Sequence, residues 1–109
     1  MISEQIHQRY LRDPLPIRLG GLAADLARIA SCADNPKHRD AVAYLLEEGK
    51  HFAEWTAADA PLATQAVLAE IQRELAHWER AWLRGEPLYE MQERAEQRSE
   101  ELLKLAGLI

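Results

Sequence analysis

The chain has 109 residues, the length of one typical domain, and its composition of 48% hydrophobic and 28% charged residues excludes a disordered chain. The net charge of −5 argues against a nucleic-acid-binding protein, because such proteins need a basic face. One cysteine excludes an internal disulfide, and no apolar run reaches the about 18 residues of a membrane span. We therefore expect a single soluble, cytoplasmic domain over residues 1–109 that binds neither nucleic acid nor membrane.

Proline and glycine divide the chain into helical segments. Pro14 and Pro16 end a short first segment, Asn35 and Pro36 form a typical helix start, and Gly107 is typical of a left-handed helix cap. No stretch shows the alternation of a β-strand. The pattern predicts an all-α, up-and-down bundle of four main helices plus a short N-terminal helix. The predicted helices lie near residues 3–12, 18–33, 36–57, 61–84 and 87–106.

The long helices differ in the width of their apolar faces. The helices near 18–33, 36–57 and 61–84 each carry a full apolar face at helical spacing. The last helix has a thinner one, so we expect it to be less firmly packed. Gly20 and Gly49 lie inside helices, where glycine costs about 1 kcal/mol relative to alanine, and they indicate a close approach of two helix backbones.

Two Glu-x-x-His pairs, Glu48 with His51 and Glu74 with His77, fall on successive predicted helices. Bundles that hold two metal ions use this pair on two helices, with one more glutamate from each of the others. Here the helical spacing turns both histidines away from the apolar faces, toward solvent. We therefore expect no metal and no other cofactor. A metal-binding bundle that acts as an enzyme or a carrier remains the alternative.

The last predicted helix carries the densest run of charges in the chain. Favourable pairs four residues apart, Glu90 with Arg94 and Glu100 with Lys104, indicate a solvated face. A magnesium site would need carboxylates that converge from a second helix. The sequence contains no arrangement of nucleophile and base, so we expect no catalytic residues, and the pattern favours a protein that is not an enzyme.

The tryptophans and the C-terminal leucines are the strongest candidates for a binding surface. Three of the seven aromatic residues are tryptophans, and two of them lie four residues apart, which fits either a core or an interface. We predict contact with a second copy of the chain, or with another protein, through an apolar surface. Its residues are Trp78, Trp82, Leu102, Leu103, Leu105, Leu108 and Ile109. Alternatively, the bundle binds a small molecule in a pocket lined by Trp78 and Trp82.

Two runs of residues also carry a family resemblance. They are Leu19-Gly20-Gly21-Leu22-Ala23-Ala24 with Ala27-Arg28-Ile29, and Leu45-Leu46-Glu47-Glu48 with Phe52 and Glu54-Trp55-Thr56-Ala57. Over about residues 18–84, the chain resembles a group of short, uncharacterised, all-helical cyanobacterial proteins. The resemblance implies a helical bundle, and it implies no activity, cofactor or functional residue.

Overall fold

The computed structural model describes residues 2–109, which form five α-helices, one 3₁₀ turn and no β-strand. The predicted all-α class is therefore confirmed. Within this range no helix combines the length and the apolar character needed to cross a bilayer. The helices are α1 (Glu4–Arg12), α2 (Leu15–Cys32), α3 (Arg39–Ala57), α4 (Leu62–Leu83) and α5 (Met91–Leu105), and the 3₁₀ turn Pro36–His38 precedes α3.

The four long helices form the predicted up-and-down bundle. The pairs α2–α3, α3–α4 and α2–α5 pack closely, whereas α4 and α5 approach each other at few points. The hydroxyl of Ser99 donates to the carbonyl of Ala23 at 2.8 Å, and the Gln92 amide donates to the carbonyl of Ala30 at 2.9 Å, so α5 runs antiparallel to α2. The bundle therefore has three close interfaces and one wide seam, between α4 and α5.

The predicted apolar faces form the core. Leucine and isoleucine side chains on the inner faces of α2, α3 and α4 are buried almost completely, as are Met91 and Leu102 of α5. Trp78 belongs to this core, whereas Trp82 is only half-buried at its edge. The thin face predicted for the last helix is observed, since the buried apolar residues of α5 are Met91, Ala95 and Leu102.

The short helix α1 is held on the bundle by Tyr10. Its hydroxyl donates to the carbonyl of Arg18 at 2.8 Å and lies 2.6 Å from the hydroxyl of Thr56, and its ring stacks on Phe52 at 3.9 Å between centroids. Burial raises the pKa of the Tyr10 hydroxyl well above its ordinary value. The guanidinium of Arg18 also binds the Asp59 carboxylate at 2.9 Å, which joins the start of α2 to the link between α3 and α4.

Three helix starts differ from the predicted ones. Helix α3 begins at Arg39 rather than near 36, because Pro36–His38 forms a 3₁₀ turn. Helix α2 begins at Leu15 rather than near 18, because Pro16 lies in the first turn, where backbone N–H groups have no partner within the helix. Helix α5 begins at Met91 rather than near 87. Gly85, at a φ of +72°, turns the chain after α4, and residues 86–90 form the connection to α5. The predicted left-handed cap at Gly107 is present, with a φ of +74°.

The helical glycines face side chains rather than another backbone, which corrects the prediction. A Cβ atom at Gly49 would lie 3.3 Å from Leu75 Cδ1 and 3.5 Å from Leu22 Cδ1. A Cβ atom at Gly20 would lie 3.1 Å from Leu108 Cδ1. The absence of a side chain at these positions therefore makes room for leucines, two in the core and one from the C-terminal segment.

We expect Gly21→Ala and Gly49→Ala to have opposite effects on stability. At Gly21 a Cβ atom would lie 3.6 Å from Tyr10, an ordinary contact, so the better helix propensity of alanine raises the free energy of unfolding by about 0.5–1 kcal/mol. At Gly49 a Cβ atom would lie 3.3 Å from the fully buried Leu75, which has to shift, and the overpacking lowers that free energy by about 1 kcal/mol. Urea denaturation followed by circular dichroism measures both. Equal stabilisation by the two substitutions would contradict this account.

Candidate functional site

The structure separates the predicted interface residues into buried and exposed ones. Trp78 and Leu102 are buried in the core, and Leu103 is half-buried. Leu105, Leu108 and Ile109 are exposed. The buried members already pack within the chain, so the surface open to a partner consists of the exposed C-terminal residues.

Trp82 links two helices. Its indole N–H donates to the carbonyl of Arg39 at 3.0 Å, the Arg39 guanidinium donates back to the carbonyl of Trp82, and the guanidinium lies 5.1 Å from the ring centroid. Trp78 borders a recess of about 350 Å³ whose other lining residues, Trp82 not among them, are polar. They are Arg73, Glu74, His77, Glu90 and Arg94. The two tryptophans thus do not line this recess together.

Exposed aliphatic side chains gather at one end of the bundle. Because neighbouring helices are antiparallel, α2 and α4 begin at the end where α5 finishes. The exposed aliphatic side chains that α2, α4, α5 and the segment after α5 contribute there are called the apolar end surface below. They are Ile17, Leu62, Leu105, Leu108 and Ile109.

The cap of α5 directs its last residues toward α2. The N–H of Gly107 donates to the carbonyl of Lys104 at 3.1 Å, and the N–H of Leu108 donates to the carbonyl of Leu103 at 2.9 Å. This is the Schellman arrangement, which depends on the positive φ of the glycine. It places Leu108 over Gly20, one helical turn from Ile17.

The two Glu-x-x-His pairs do not converge. His77 is exposed, whereas His51 is half-buried, with its ring centroid 5.4 Å from that of Trp55. The Glu74 carboxylate accepts hydrogen bonds from Arg94 and Arg98 of α5, and Glu48 lies next to Asp25 of α2. Within residues 2–109 no group of three or more His, Cys, Asp or Glu side chains is arranged to hold a metal ion.

Arg98 corrects the prediction that the charges of the last helix form a solvated face. Its side chain is in the seam between α4 and α5, and the residue is only 5% exposed. It binds carboxylate oxygens of Glu74 at 2.7 Å, Glu70 at 2.9 Å and Glu101 at 2.9 Å. Arg94, predicted to pair with a glutamate of its own helix, instead binds Glu74 at 2.7 Å. Ion pairs therefore join α4 and α5 where close backbone contact is sparse.

The charged form of Arg98 is stabilised by these contacts. Burial opposes that form, but the hydrogen bonds with Glu101, Glu70 and Glu74 outweigh it and raise the pKa of Arg98. The hydrogen bond that Glu70 accepts from Arg98 also lowers the pKa of Glu70. Since three carboxylates already surround the guanidinium, the seam does not present a free positive charge to an anionic ligand.

Asp25 and Glu48 form a carboxyl pair between α2 and α3. Asp25 is 2% exposed, and in its ionised form its Oδ2 atom has no hydrogen-bond donor among residues 2–109. Glu48 lies within hydrogen-bonding reach of Asp25 and accepts a bond of 2.9 Å from the Tyr44 hydroxyl. Arg28 approaches Asp25 only to 3.7 Å, and its own side chain extends into solvent.

The carboxyl pair shares a proton near neutral pH. Burial, followed by the hydrogen bond and the negative charge of Glu48, raises the pKa of Asp25 to about 8, against a small opposite effect of Arg28. Below that pH, a proton on Asp25 supplies the donor that two facing carboxylates lack. The pair as a whole then carries one negative charge rather than two.

A groove of about 360 Å³ lies beside the pair, between α1, α2 and α3. Tyr10 and Phe52 form its aromatic part, and Glu48 supplies a carboxylate from the pair. Arg9 and Asp13, both exposed, also line it. The complete set of lining residues is Ile6, Arg9, Tyr10, Asp13, Ile17, Gly21, Glu48 and Phe52.

Sequence spacing alone marks two of the buried charged residues, Asp25 and Arg98. Asp25 lies three residues after Leu22 and Arg98 lies three after Ala95, so both follow the spacing of an apolar face. A charged residue at such a position indicates a buried polar contact. Its partners, on other helices, follow only from the three-dimensional packing.

Comparison with protein-family models, with curated proteins and with solved structures finds no match for this chain. The resemblance to the cyanobacterial group stays a prediction.

We expect Arg98→Ala to lower the free energy of unfolding by about 2–3 kcal/mol, because it removes a buried cation shared by two helices. Arg94→Ala is the matched control. It removes a more exposed arginine from the same helix and the same glutamate, and we expect a loss below about 1 kcal/mol. Urea denaturation measures both, and an equal loss for the two variants would contradict a central role for Arg98.

We expect Asp25 to make stability fall as the pH rises from about 4 to about 8. The raised pKa means that the folded state holds a proton that the unfolded state has released in this window, so the free energy of unfolding decreases with pH. Its slope is limited to about 1.4 kcal/mol per pH unit for one proton.

The difference in stability between the wild type and Asp25→Asn isolates this effect, since other titrating groups contribute equally to both. Asparagine resembles the protonated acid and does not titrate, so wild type should lose stability relative to Asp25→Asn between about pH 5.5 and 8.5. A difference that stays constant over this range would show that Asp25 has no raised pKa.

Proposed function

We propose that the chain is a non-catalytic helical interaction module that forms a homodimer through the apolar end surface. The observation that carries the proposal is that five exposed aliphatic side chains lie at one end of the bundle, in α2, α4, α5 and the segment after α5. Exposed aliphatic surface is unfavourable in water, and contiguous patches of it commonly mark interaction sites.

A second copy of the chain is the partner that fits this surface most simply. A surface made of aliphatic side chains is complementary to itself, and a two-fold axis would bring the same residues of two copies together. Such contact removes apolar area from water on both copies, at about 25 cal/mol per Å². The dimer thus needs no additional binding element.

The size of the surface sets the expected strength of the dimer. A standard interface buries about 800 Å² per partner, which five partly exposed side chains do not supply. We therefore expect a dissociation constant in the micromolar range. Of the residues predicted for the interface, Leu105, Leu108 and Ile109 remain, and Ile17 and Leu62 are added.

We also propose the cytoplasm as the location of the protein. Its one cysteine, Cys32, is a free thiol, and the helices are held together by apolar packing and ion pairs. Such a fold needs no oxidising compartment to form disulfides.

Sedimentation equilibrium over about 5–200 μM tests the dimer, with Leu62→Lys and Leu83→Lys as a matched pair. The two leucines are 82% and 67% exposed and lie at the first and last positions of α4. We expect the wild type to dimerise and Leu62→Lys to weaken the dimer at least about tenfold, because a charge is desolvated, while Leu83→Lys has no effect.

If the measured mass of the wild type stays that of a monomer over the whole concentration range, the proposal is refuted. An equal effect of the two lysine substitutions would show that self-association does not involve the apolar end surface. Circular dichroism of each variant checks that the helices are retained.

A further inference from the structure

The segment after α5, residues 106–109, turns back onto α2 and is called the α5 strap below. The N–H of Leu108 donates to the carbonyl of Leu103 at 2.9 Å, and the φ of Gly107 is +74°. This turn carries Leu108 over Gly20, where a Cβ atom would lie only 3.1 Å from Leu108 Cδ1. The strap therefore rests on a part of α2 that has no side chain.

The hold of the α5 strap on the bundle weakens along its length. Ala106 packs against the core, Leu108 is 51% exposed, and Ile109 is exposed. Segments that bury little apolar surface and whose backbone hydrogen bonds lie near solvent open locally at low cost. We therefore expect the strap to exchange between a docked and a released position.

The position of the strap decides whether the apolar end surface is one continuous patch. Ile17 and Gly20 lie one turn apart on α2, so a leucine docked over Gly20 is next to Ile17. Leu108 and Ile109 are two of the five side chains of that surface. When the strap is released, these two move with it, and only the three side chains held on helices remain in place.

We propose that docking of the α5 strap on Gly20 completes the apolar end surface, so that dimerisation and docking of the strap promote each other. This inference rests on the proposed dimer and adds the step that regulates it. A copy with a released strap lacks part of its contact surface, so the apparent affinity falls with the docked fraction. By linkage, contact with a second copy favours the docked strap by the same factor.

The chain contains a matched control for the cap of α5. Gly85 ends α4 in the same arrangement, with a φ of +72° and a bond of 2.9 Å from the N–H of Glu86 to the carbonyl of Ala81. Apart from its neighbours in the chain, nothing among residues 2–109 lies within 4 Å of a Cβ atom at Gly85 or at Gly107. Valine is strained at a positive φ, so Gly107→Val and Gly85→Val disturb equivalent caps, of which only the first positions the strap.

Sedimentation equilibrium over about 5–200 μM compares the dimer affinity of the wild type with that of the two variants. We expect Gly107→Val to weaken the dimer at least about fivefold, because the strap loses its docked position. Gly85→Val should leave the dissociation constant within about twofold of the wild-type value, because its cap lies at the opposite end of the bundle.

Hydrogen exchange measured by mass spectrometry follows the strap itself. The N–H of Leu108 is bonded to Leu103 in the docked strap, so exchange of a peptide covering residues 103–109 reports docking. We expect this exchange to slow at least about threefold between about 1 and 200 μM protein, as the dimer forms. A peptide covering residues 81–87 contains the cap of α4 and should exchange equally at both concentrations.

The outcomes separate this proposal from the proposed dimer. If the wild type is monomeric at every concentration, both are refuted. If the wild type dimerises and Gly107→Val dimerises equally well, the dimer stands and the role of the strap is refuted. Equal weakening by Gly85→Val would show a general effect of losing a cap and would also refute the role of the strap.

Circular dichroism shows whether the two valine variants are folded. If Gly107→Val is not, Gly20→Gln provides the test, because its side chain occupies the place of Leu108 on α2. We expect this variant to exchange faster than the wild type over residues 103–109 at about 1 μM, where both are monomeric, and to form a weaker dimer. Unchanged exchange in Gly20→Gln would refute docking of the strap on Gly20.

Discussion

The narrow apolar face of α5 is the constraint on which closure of the bundle depends. The helix buries Met91, Ala95 and Leu102 in the core, and the side chains of Ser99 and Gln92 bind carbonyl groups of α2. Too little apolar surface is left to pack closely on α4 as well. Ion pairs centred on the buried Arg98 join α5 to α4 instead. The bundle is thus closed by close helix packing at three interfaces and by ion pairs at the fourth.

Most of the fold follows from local patterns in the sequence. Helical spacing of leucines and isoleucines placed the core residues of α2, α3 and α4 correctly, and the caps near Asn35 and Gly107 were correctly identified. The errors lie at helix starts, where backbone geometry decides. Sequence patterns predict Pro16 outside a helix, although the first turn of α2 tolerates it. They predict a helix start at Pro87, although this residue lies in the connection after Gly85.

The candidate sites were less predictable because they join residues from different helices. The charge of Arg98 predicts an exposed side chain, and this prediction is wrong. Its spacing within α5 is that of a core residue, and the residue is buried. The sequence spacing pairs Glu48 with His51, whereas its partner in the structure is Asp25 on the preceding helix. The register of α2 against α3 determines that pairing, and no local pattern in the sequence encodes it.

The contact between α5 and α2 also has a consequence for the order of folding. The pairs α2–α3 and α3–α4 join consecutive helices, so each requires only a short loop to close. The bond between Ser99 and Ala23, in contrast, joins residues 76 positions apart. Closing so long a loop costs more chain entropy and comes late. One face of α2 accordingly stays in water until the last helix has been synthesised, and that interval is when the chain is most prone to aggregate.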